Sequence, residues 1–204
     1  LLVALDWEKA FDSISWDYLH QAVEALGFGP DIRRWYHILY NPLDPQERTI
    51  QSNGLRSPTF NLRSGIPQGC PLSPLTFIFI SEGLTRTVMN SPHYRGIRIG
   101  RREFRLSQFA DDTLLFLRGY TGLRHAWKLI NQFSRATGMK VNIKKTEGIR
   151  CGKLKKHPPP YMPELHTDAI KWVEPGKWVR LLGIPFWESF NPDIFFEQLY
   201  SKAK

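Results

Sequence analysis

Asp111 and Asp112, inside Ser107-Gln-Phe-Ala-Asp-Asp-Thr-Leu-Leu-Phe-Leu117, are adjacent carboxylates between two apolar, strand-like runs. A tight hairpin turn favours Asp, whose side chain bonds the local backbone, so for an isolated Asp-Asp pair a solvated turn is the ordinary reading. Here a third carboxylate, Asp6, closes the apolar run Leu1 to Leu5, and a Pro/Gly-rich loop, Ser64 to Pro74, lies between the two acidic sites. Carboxylates converging from different strands suit two-metal phosphoryl transfer, in which cations about 3.5–4 Å apart activate an attacking hydroxyl and steady a leaving oxygen. Magnesium prefers oxygen ligands and keeps several waters, so it suits a protein shell this sparse. None of the three acidic positions carries a histidine, which argues against a zinc hydrolase.

The elements that position these acids can be read from periodicity. Trp16, Leu19, Val23 and Leu26 recur at helical spacing after Ser15, a suitable N-cap, and the pattern stops at Gly27. A second short helix is predicted from Asp31 to about Tyr40, ended by the Asn41-Pro42 and Asp44-Pro45 steps. Asn53-Gly54 marks a tight hairpin between Glu47 to Ser52 and Pro58 to Arg63. Ser73-Pro74 predicts a helix start with Ser73 as N-cap, and the run from Leu75 to Val88 is apolar nearly all round, which predicts a buried helix. Gly100-Arg101 marks another hairpin, between Ile97 to Ile99 and Phe104 to Phe109, and Thr113 to Leu117 is the strand after the acidic turn. Leu123, Trp127, Ile130 and Phe133 predict a helix ending near Gly138, followed by strands at Lys140 to Ile143 and Thr146 to Cys151. A strand at Trp178 to Leu182, a turn at Gly183 and a helix from about Pro192 complete the pattern. The expected fold class is α+β, an antiparallel sheet with helices packed on one face.

Composition agrees with a folded, nucleic-acid-facing chain. A hydrophobic fraction of 42% with 23% charged residues is ordinary for a globular protein. The formal net charge is +9, which suits a polyanionic partner, although basic charge also serves solubility. Two cysteines, Cys70 and Cys151, are too few for a disulfide framework, and a reducing, intracellular compartment, nuclear or cytoplasmic, is expected rather than secretion. No apolar run reaches the roughly 18 residues a membrane span requires, so no membrane partner is expected.

Five segments together carry a family resemblance. Leu5-Asp-Trp-Glu-Lys-Ala-Phe-Asp12, Ser64 to Pro74, Phe109-Ala-Asp-Asp112, Gly138-Met-Lys-Val-Asn-Ile-Lys-Lys-Thr146 and Leu181-Leu-Gly-Ile184 resemble, in order, the successive palm motifs of reverse transcriptases. The style is that of non-LTR, LINE-type retrotransposon enzymes, which are themselves similar to group II intron and telomerase relatives. The resemblance implies an RNA-directed DNA polymerase palm over residues 1–187, with 152–168 as an exposed connector and 188–204 as the start of a thumb or a C-terminal extension. Its partners would be an RNA template, a DNA primer and dNTPs, and its cofactor two Mg2+ ions, with Mn2+ as a substitute.

Carried over position by position, the resemblance implies that Asp6 and Asp111 hold both metals, that the Trp7 carbonyl lends a backbone oxygen, and that Asp112 supports the site. Phe11 would stand against the sugar of the incoming nucleotide, where its ring excludes a ribose 2′-hydroxyl; a core aromatic is the alternative. Gln68 and Gly69 would contact nucleotide and template, while Pro67, Pro71 and Pro74 shape the loop. Lys145, or its neighbour Lys144, would protonate the leaving pyrophosphate. Leu182 and Gly183 would grip the primer; a core hairpin is the alternative. Asp12 reads as a cap or a solvated residue. Trp172, Lys177, Trp178 and Arg180 could track a nucleic-acid backbone, but seven tryptophans in this chain equally serve packing.

The chain opens inside a strand-like run and is read as a fragment: the family's basic fingers precede the first motif, and the thumb barely begins after Pro192. Weak or absent polymerisation by the isolated segment is therefore expected, and an accompanying endonuclease is left open. The alternative readings are a catalytically silent relic that serves as a nucleic-acid scaffold, and an RNA-dependent RNA polymerase. Phe11, and Ala110 where that group commonly has Gly, disfavour the last.

Overall fold

The structure is a computed structural model that describes residues 1–44, 47–174, 179–181 and 184–186, with side chains through residue 174. In chain order the elements are β1 (Leu2–Leu5), β2 (Trp7–Glu8), α1 (Trp16–Ala25), α2 (Pro30–Leu39), β3 (Glu47–Arg48), β4 (Gln51–Ser52), β5 (Leu55–Arg56), β6 (Phe60–Asn61) and α3 (Ser73–Asn90). They continue as β7 (Ile97–Ile99), β8 (Arg102–Phe104), β9 (Leu106–Phe109), β10 (Asp112–Phe116), α4 (Tyr120–Thr137), β11 (Lys140–Val141), β12 (Glu147–Ile149), β13 (Lys171–Trp172), β14 (Val179–Leu181) and β15 (Ile184–Phe186). The fold is α+β, and all strand pairs but one are antiparallel among the described residues. No described helix is long and apolar enough to cross a membrane.

Two compact units divide the chain. The first comprises Leu1–Asp6, Pro92–His125 and the described residues from Asn142 on. Its centre is a five-stranded sheet in the order β13-β12-β1-β10-β9, with only the outer pair β12 and β13 parallel. The run Leu2-Val-Ala-Leu5 is apolar at every position because this strand is central: Leu2, Val3 and Leu5 are all buried. Leu2 and Leu114 pack with Ala4, Ile97, Phe116 and Ile149. Within 152–168 the lysines and prolines are largely at the surface, whereas Met162, Leu165 and Thr167 are buried. The Thr167 hydroxyl donates to the Pro160 carbonyl at 3.0 Å and accepts the Met162 N–H at 2.8 Å.

The second unit comprises Trp7–Ser91 and Ala126–Val141. Ser15 caps α1 as its type suggests, accepting the Tyr18 N–H at 3.4 Å, and the helix buries Trp16, Leu19 and Val23. Asn53 and Gly54 both take left-handed φ values, 48° and 79°, as the tight hairpin between β4 and β5 requires. Helix α3 departs from expectation in two respects. Ser73 is not its cap, because Leu72 already has helical dihedrals, and the Ser73 hydroxyl instead donates to the Pro67 carbonyl at 2.6 Å. The helix also buries one stripe, Phe77, Ile80, Leu84 and Val88, while Leu75 and Ile78 are 47% and 57% exposed. Residues four apart share a face of a helix, so this stripe is sufficient for one-sided packing against α1.

Close backbone approach sets the loop ahead of α3. Gly65 has φ +84°, and a Cβ built on it would lie 2.6 Å from the Asp12 carbonyl oxygen. Gly27 has a similar φ of +79° but open space around it. Alanine at position 27 therefore incurs only the left-handed backbone cost of about 1–2 kcal/mol. Urea unfolding should show Gly65→Ala to be destabilising by at least ~1 kcal/mol more than Gly27→Ala; equal losses would show that Asp12 and its neighbours yield freely.

Candidate functional site

The acidic turn is a two-residue hairpin. Strand β9 meets β10 with Phe109 opposite Asp112, which leaves Ala110 and Asp111 as the connection. Ala110 adopts φ 52°. A positive φ lets so tight a turn follow the twist of its strands, but in a residue with a Cβ it costs roughly 1–2 kcal/mol. Strain of this kind is concentrated at functional sites. Asp111 sits at the tip and Asp112 opens β10, both exposed.

The neighbouring strand delivers the third acid. Strand β1 pairs antiparallel with β10, ending on Leu5 opposite Thr113, so Asp6 follows at the sheet end where β10 begins. Adjacent strands lie about 4.8 Å apart. Asp6, half-buried, is thus placed one register step beyond the ladder, level with Asp112.

A lysine-bearing loop hangs on the same residue. The Asn142 N–H donates to the Asp6 carbonyl at 2.8 Å, and the Asp6 N–H reaches the Thr146 hydroxyl oxygen at 3.5 Å. Thr146, fully buried, donates its own hydroxyl to the Asn142 carbonyl at 2.9 Å, closing the loop. The Lys145 N–H bonds both the carbonyl and the side-chain oxygen of Asn142, at 3.1 and 3.3 Å. Both lysine side chains, Lys144 and Lys145, project to the surface from a loop whose ends are tied to Asp6. Asn142 and Thr146 stand within the Gly138 to Thr146 motif but had no role in the sequence reading, although an Asn at the head of a short turn is a recognisable local signal.

In the second unit, Phe11 and the Pro/Gly loop are brought together. The Phe11 ring stacks on Phe77 of α3, with centroids 4.7 Å apart and planes 19° from parallel. Its carbonyl accepts the Ile66 N–H at 2.8 Å, the Ile14 carbonyl accepts the Gly65 N–H at 2.7 Å, and the Trp16 indole donates to the Gly65 carbonyl at 2.7 Å. Gln68 and Gly69 follow this anchored stretch and are exposed, Gly69 at φ +84°. Asp12 is exposed and caps nothing at α1, where Ser15 does so. Trp7 is buried with its ring edge-on to Phe133 at 5.8 Å. Leu182 and Gly183 lie outside the described residues, as do Lys177 and Trp178.

Among the described residues no three His, Cys, Asp or Glu side chains are gathered into a ready-made metal cluster. The donor chemistry nevertheless fits a hard divalent cation. Asp6, Asp111 and Asp112 offer carboxylate oxygens from two adjacent strands, and an ion that keeps waters and substrate phosphates as ligands needs few from the protein.

Residues 1–186 match the sequence profile of the family described as reverse transcriptase (RNA-dependent DNA polymerase). The chain belongs to the reverse transcriptase family. Relatives include the transposon TX1 uncharacterized 149 kDa protein of Xenopus laevis, 26% identical over 190 residues, covering 89% of this chain and 13% of that protein. The Pol polyprotein of the R2DM retrotransposable element of Drosophila melanogaster is 30% identical over 148 residues, covering 72% of this chain and 13% of that protein. A type-1 R2 element polyprotein of Popillia japonica is 30% identical over 149 residues, covering 72% and 20%. The chain thus spans 13% to 20% of the length of these relatives. In fold it is similar to a telomerase structure from Candida tropicalis, with a TM-score of 0.53 and 12% identity over 71% of this chain and 25% of that one. Reverse transcriptases act on nucleic acid and use divalent metal ions, in keeping with the all-carboxylate donor set described above.

The Asp6 staple in this reverse transcriptase domain can be tested without turnover. Thr146→Val keeps the buried volume but removes the hydroxyl that donates to Asn142 and receives the Asp6 N–H. It should be destabilising by about 1–3 kcal/mol in denaturant unfolding, because buried groups lose their partners; an unchanged midpoint would show that neither bond of the Thr146 hydroxyl holds the loop.

Proposed function

We propose that this reverse transcriptase domain, over residues 1–187, is the palm of an RNA-directed DNA polymerase working in retrotransposition, with 188–204 leading into the thumb. The observation that supports it most is the antiparallel register of β1 with β10, which sets Asp6 level with Asp112 and beside the strained turn holding Asp111. The names of the transposon TX1 and R2 relatives support the retrotransposition setting.

In this reading Asp6 and Asp111 would hold two Mg2+ ions, for which Mn2+ could substitute, with the Trp7 carbonyl as a backbone ligand and Asp112 in support. Bound there, the ions would neutralise charge at the transferring phosphoryl group and make the primer 3′-hydroxyl more acidic. That hydroxyl loses its proton to solvent as its oxygen attacks the α-phosphorus of a dNTP opposite an RNA template base, and the bond from the α-phosphorus to the bridging oxygen breaks, releasing pyrophosphate. Lys145, held by its backbone to the loop tied to Asp6, donates the proton that pyrophosphate takes up. Phe11, its ring fixed in a stack on Phe77, rejects a ribose 2′-hydroxyl by bulk. Gln68 and Gly69, on the loop anchored to Phe11, contact nucleotide and template. Leu182 and Gly183 hold the primer end. Cys70 and Cys151 are free thiols, which suits work inside the cell.

Primer extension on poly(rA) with oligo(dT), Mg2+ and dTTP, using the domain joined to its flanking sequence, tests the reading. Asp111→Ala should abolish extension. Phe11→Val should preserve dNTP use while raising ribonucleotide incorporation about tenfold or more, the effect of removing roughly 1.4 kcal/mol of steric discrimination. Undiminished extension by the Asp111 variant would overturn the metal assignment, and unchanged sugar selectivity would remove Phe11 from the gate. Binding of RNA–DNA duplex without any extension would favour a scaffold.

A further inference from the structure

The first unit carries a second feature at the opposite end of the sheet from the acids. A cleft of about 790 Å3 is lined by Arg95, Arg98 and Arg118, with Ile97, Leu117 and Glu103 among its other walls. The three arginines come from the turn before β7, from β7 itself and from the segment after β10. They are held together by backbone and buried groups: the Arg118 N–H donates to the Arg95 carbonyl at 3.1 Å, and the fully buried Tyr94 donates its hydroxyl to the Arg105 and Phe116 carbonyls at 2.8 and 3.2 Å. Gly96 completes the frame, since a Cβ there would collide with the Phe104 carbonyl.

Charge in the cleft is strongly one-sided. Glu103 is the lining carboxylate, and its oxygens already receive the Gly96 N–H at 2.9 Å and the Arg105 guanidinium at 3.2 Å. Among the described residues none of Arg95, Arg98 and Arg118 is in an ion pair. The rim at Gly152 and Leu154 belongs to a 3-10 turn that adds the exposed Lys153 and Lys156. No aromatic ring lines the cleft, so base stacking has no platform there, whereas arginine forks match phosphate oxygens.

We propose that this arginine cleft is a second nucleic-acid contact, taking the phosphodiester backbone of a single strand independently of its bases. The class of partner rests on the reverse transcriptase reading; the placement does not. Leu117 bonds Leu1 at this end of the β1–β10 ladder, and five residues of strand to Asp6 measure roughly 17 Å. A strand gripped here is therefore held roughly 17 Å from the carboxylate end of the same sheet.

Fluorescence anisotropy of the 204-residue chain with labelled oligo(rU) and oligo(dT), over a series of NaCl concentrations, tests it. The variant Arg95→Gln/Arg98→Gln/Arg118→Gln should lower the slope of log affinity against log salt by about 2, at roughly 0.7 per phosphate contact on a single strand. A control, Arg34→Gln/Lys128→Gln/Arg135→Gln, removes the same charge from exposed positions of the second unit and should leave the slope unchanged. Loss on both oligonucleotides supports a phosphate contact, and loss on oligo(rU) alone supports a strand held with its 2′-hydroxyls. The readout is binding without turnover, which separates this result from any failure of the polymerase reading. Matching unfolding midpoints exclude misfolding, and if the triple variant unfolds, the single exposed change Arg98→Glu is read instead. An unchanged slope on both oligonucleotides, or an equal fall in the control, overturns the proposal.

Discussion

The pairing of β1 with β10 is the constraint on which the candidate site depends. Side chains alternate along a strand, so a slip of one residue would move every apolar group to the opposite face and carry Asp6 out of step with Asp112. Leu2, Val3 and Leu5 on one strand and Leu114 and Leu115 on the other are buried on both faces of the sheet, so a slip is penalised by mismatched packing of unequal side chains. The hydrophobic core of the first unit therefore determines where its carboxylates stand, although none of the core residues has chemistry of its own.

The second support is polar and local. Beyond Leu5 the β1–β10 ladder stops, and the backbone groups of Asp6 bond instead with Asn142 and Thr146. This transfers the precision of the sheet to one residue past its edge and links the lysine loop to the acid by a few hydrogen bonds. Lys145 and Asp6, far apart in sequence, are thereby joined through the hydrogen bonds of Asn142 and Thr146, with Lys145 exposed and Asp6 half-buried. The proton donor and the metal-binding acid of the proposed mechanism are positioned by the same bonds.

In the second unit the positioning device is backbone proximity. Gly65 lies so near Asp12 that only hydrogen fits in place of a side chain, and the bonds from Ile66 to Phe11 and from Gly65 to Ile14 follow from that approach. The Phe11 ring is then held by Phe77, whose place on α3 is set by the buried stripe. Aromatic stacking and a tight glycine contact together convert an irregular loop into a fixed one.

Much of this was legible in the residues. The Ser15 cap, the Asn53-Gly54 and Gly100-Arg101 turns, the strands around Asp111 and the apolar run of β1 are local patterns, and local physics chooses them. Helix α3 was less legible: its composition suggested burial all round, yet only contacts with a neighbouring helix decide which of its apolar faces is covered, and Leu75 and Ile78 were left outside. Ser73 likewise lost the cap to the helical backbone of Leu72. The sequence by itself determined that Asp6 closes one apolar run and that Asp111 and Asp112 interrupt two others, because alternation and turn chemistry are encoded within a few residues. Only the tertiary structure decided that Asp6 comes level with Asp112, that Asn142 and Thr146 hold it there, and that three arginines scattered over 24 positions line one cleft, since each depends on register or on chain crossings between segments remote in sequence.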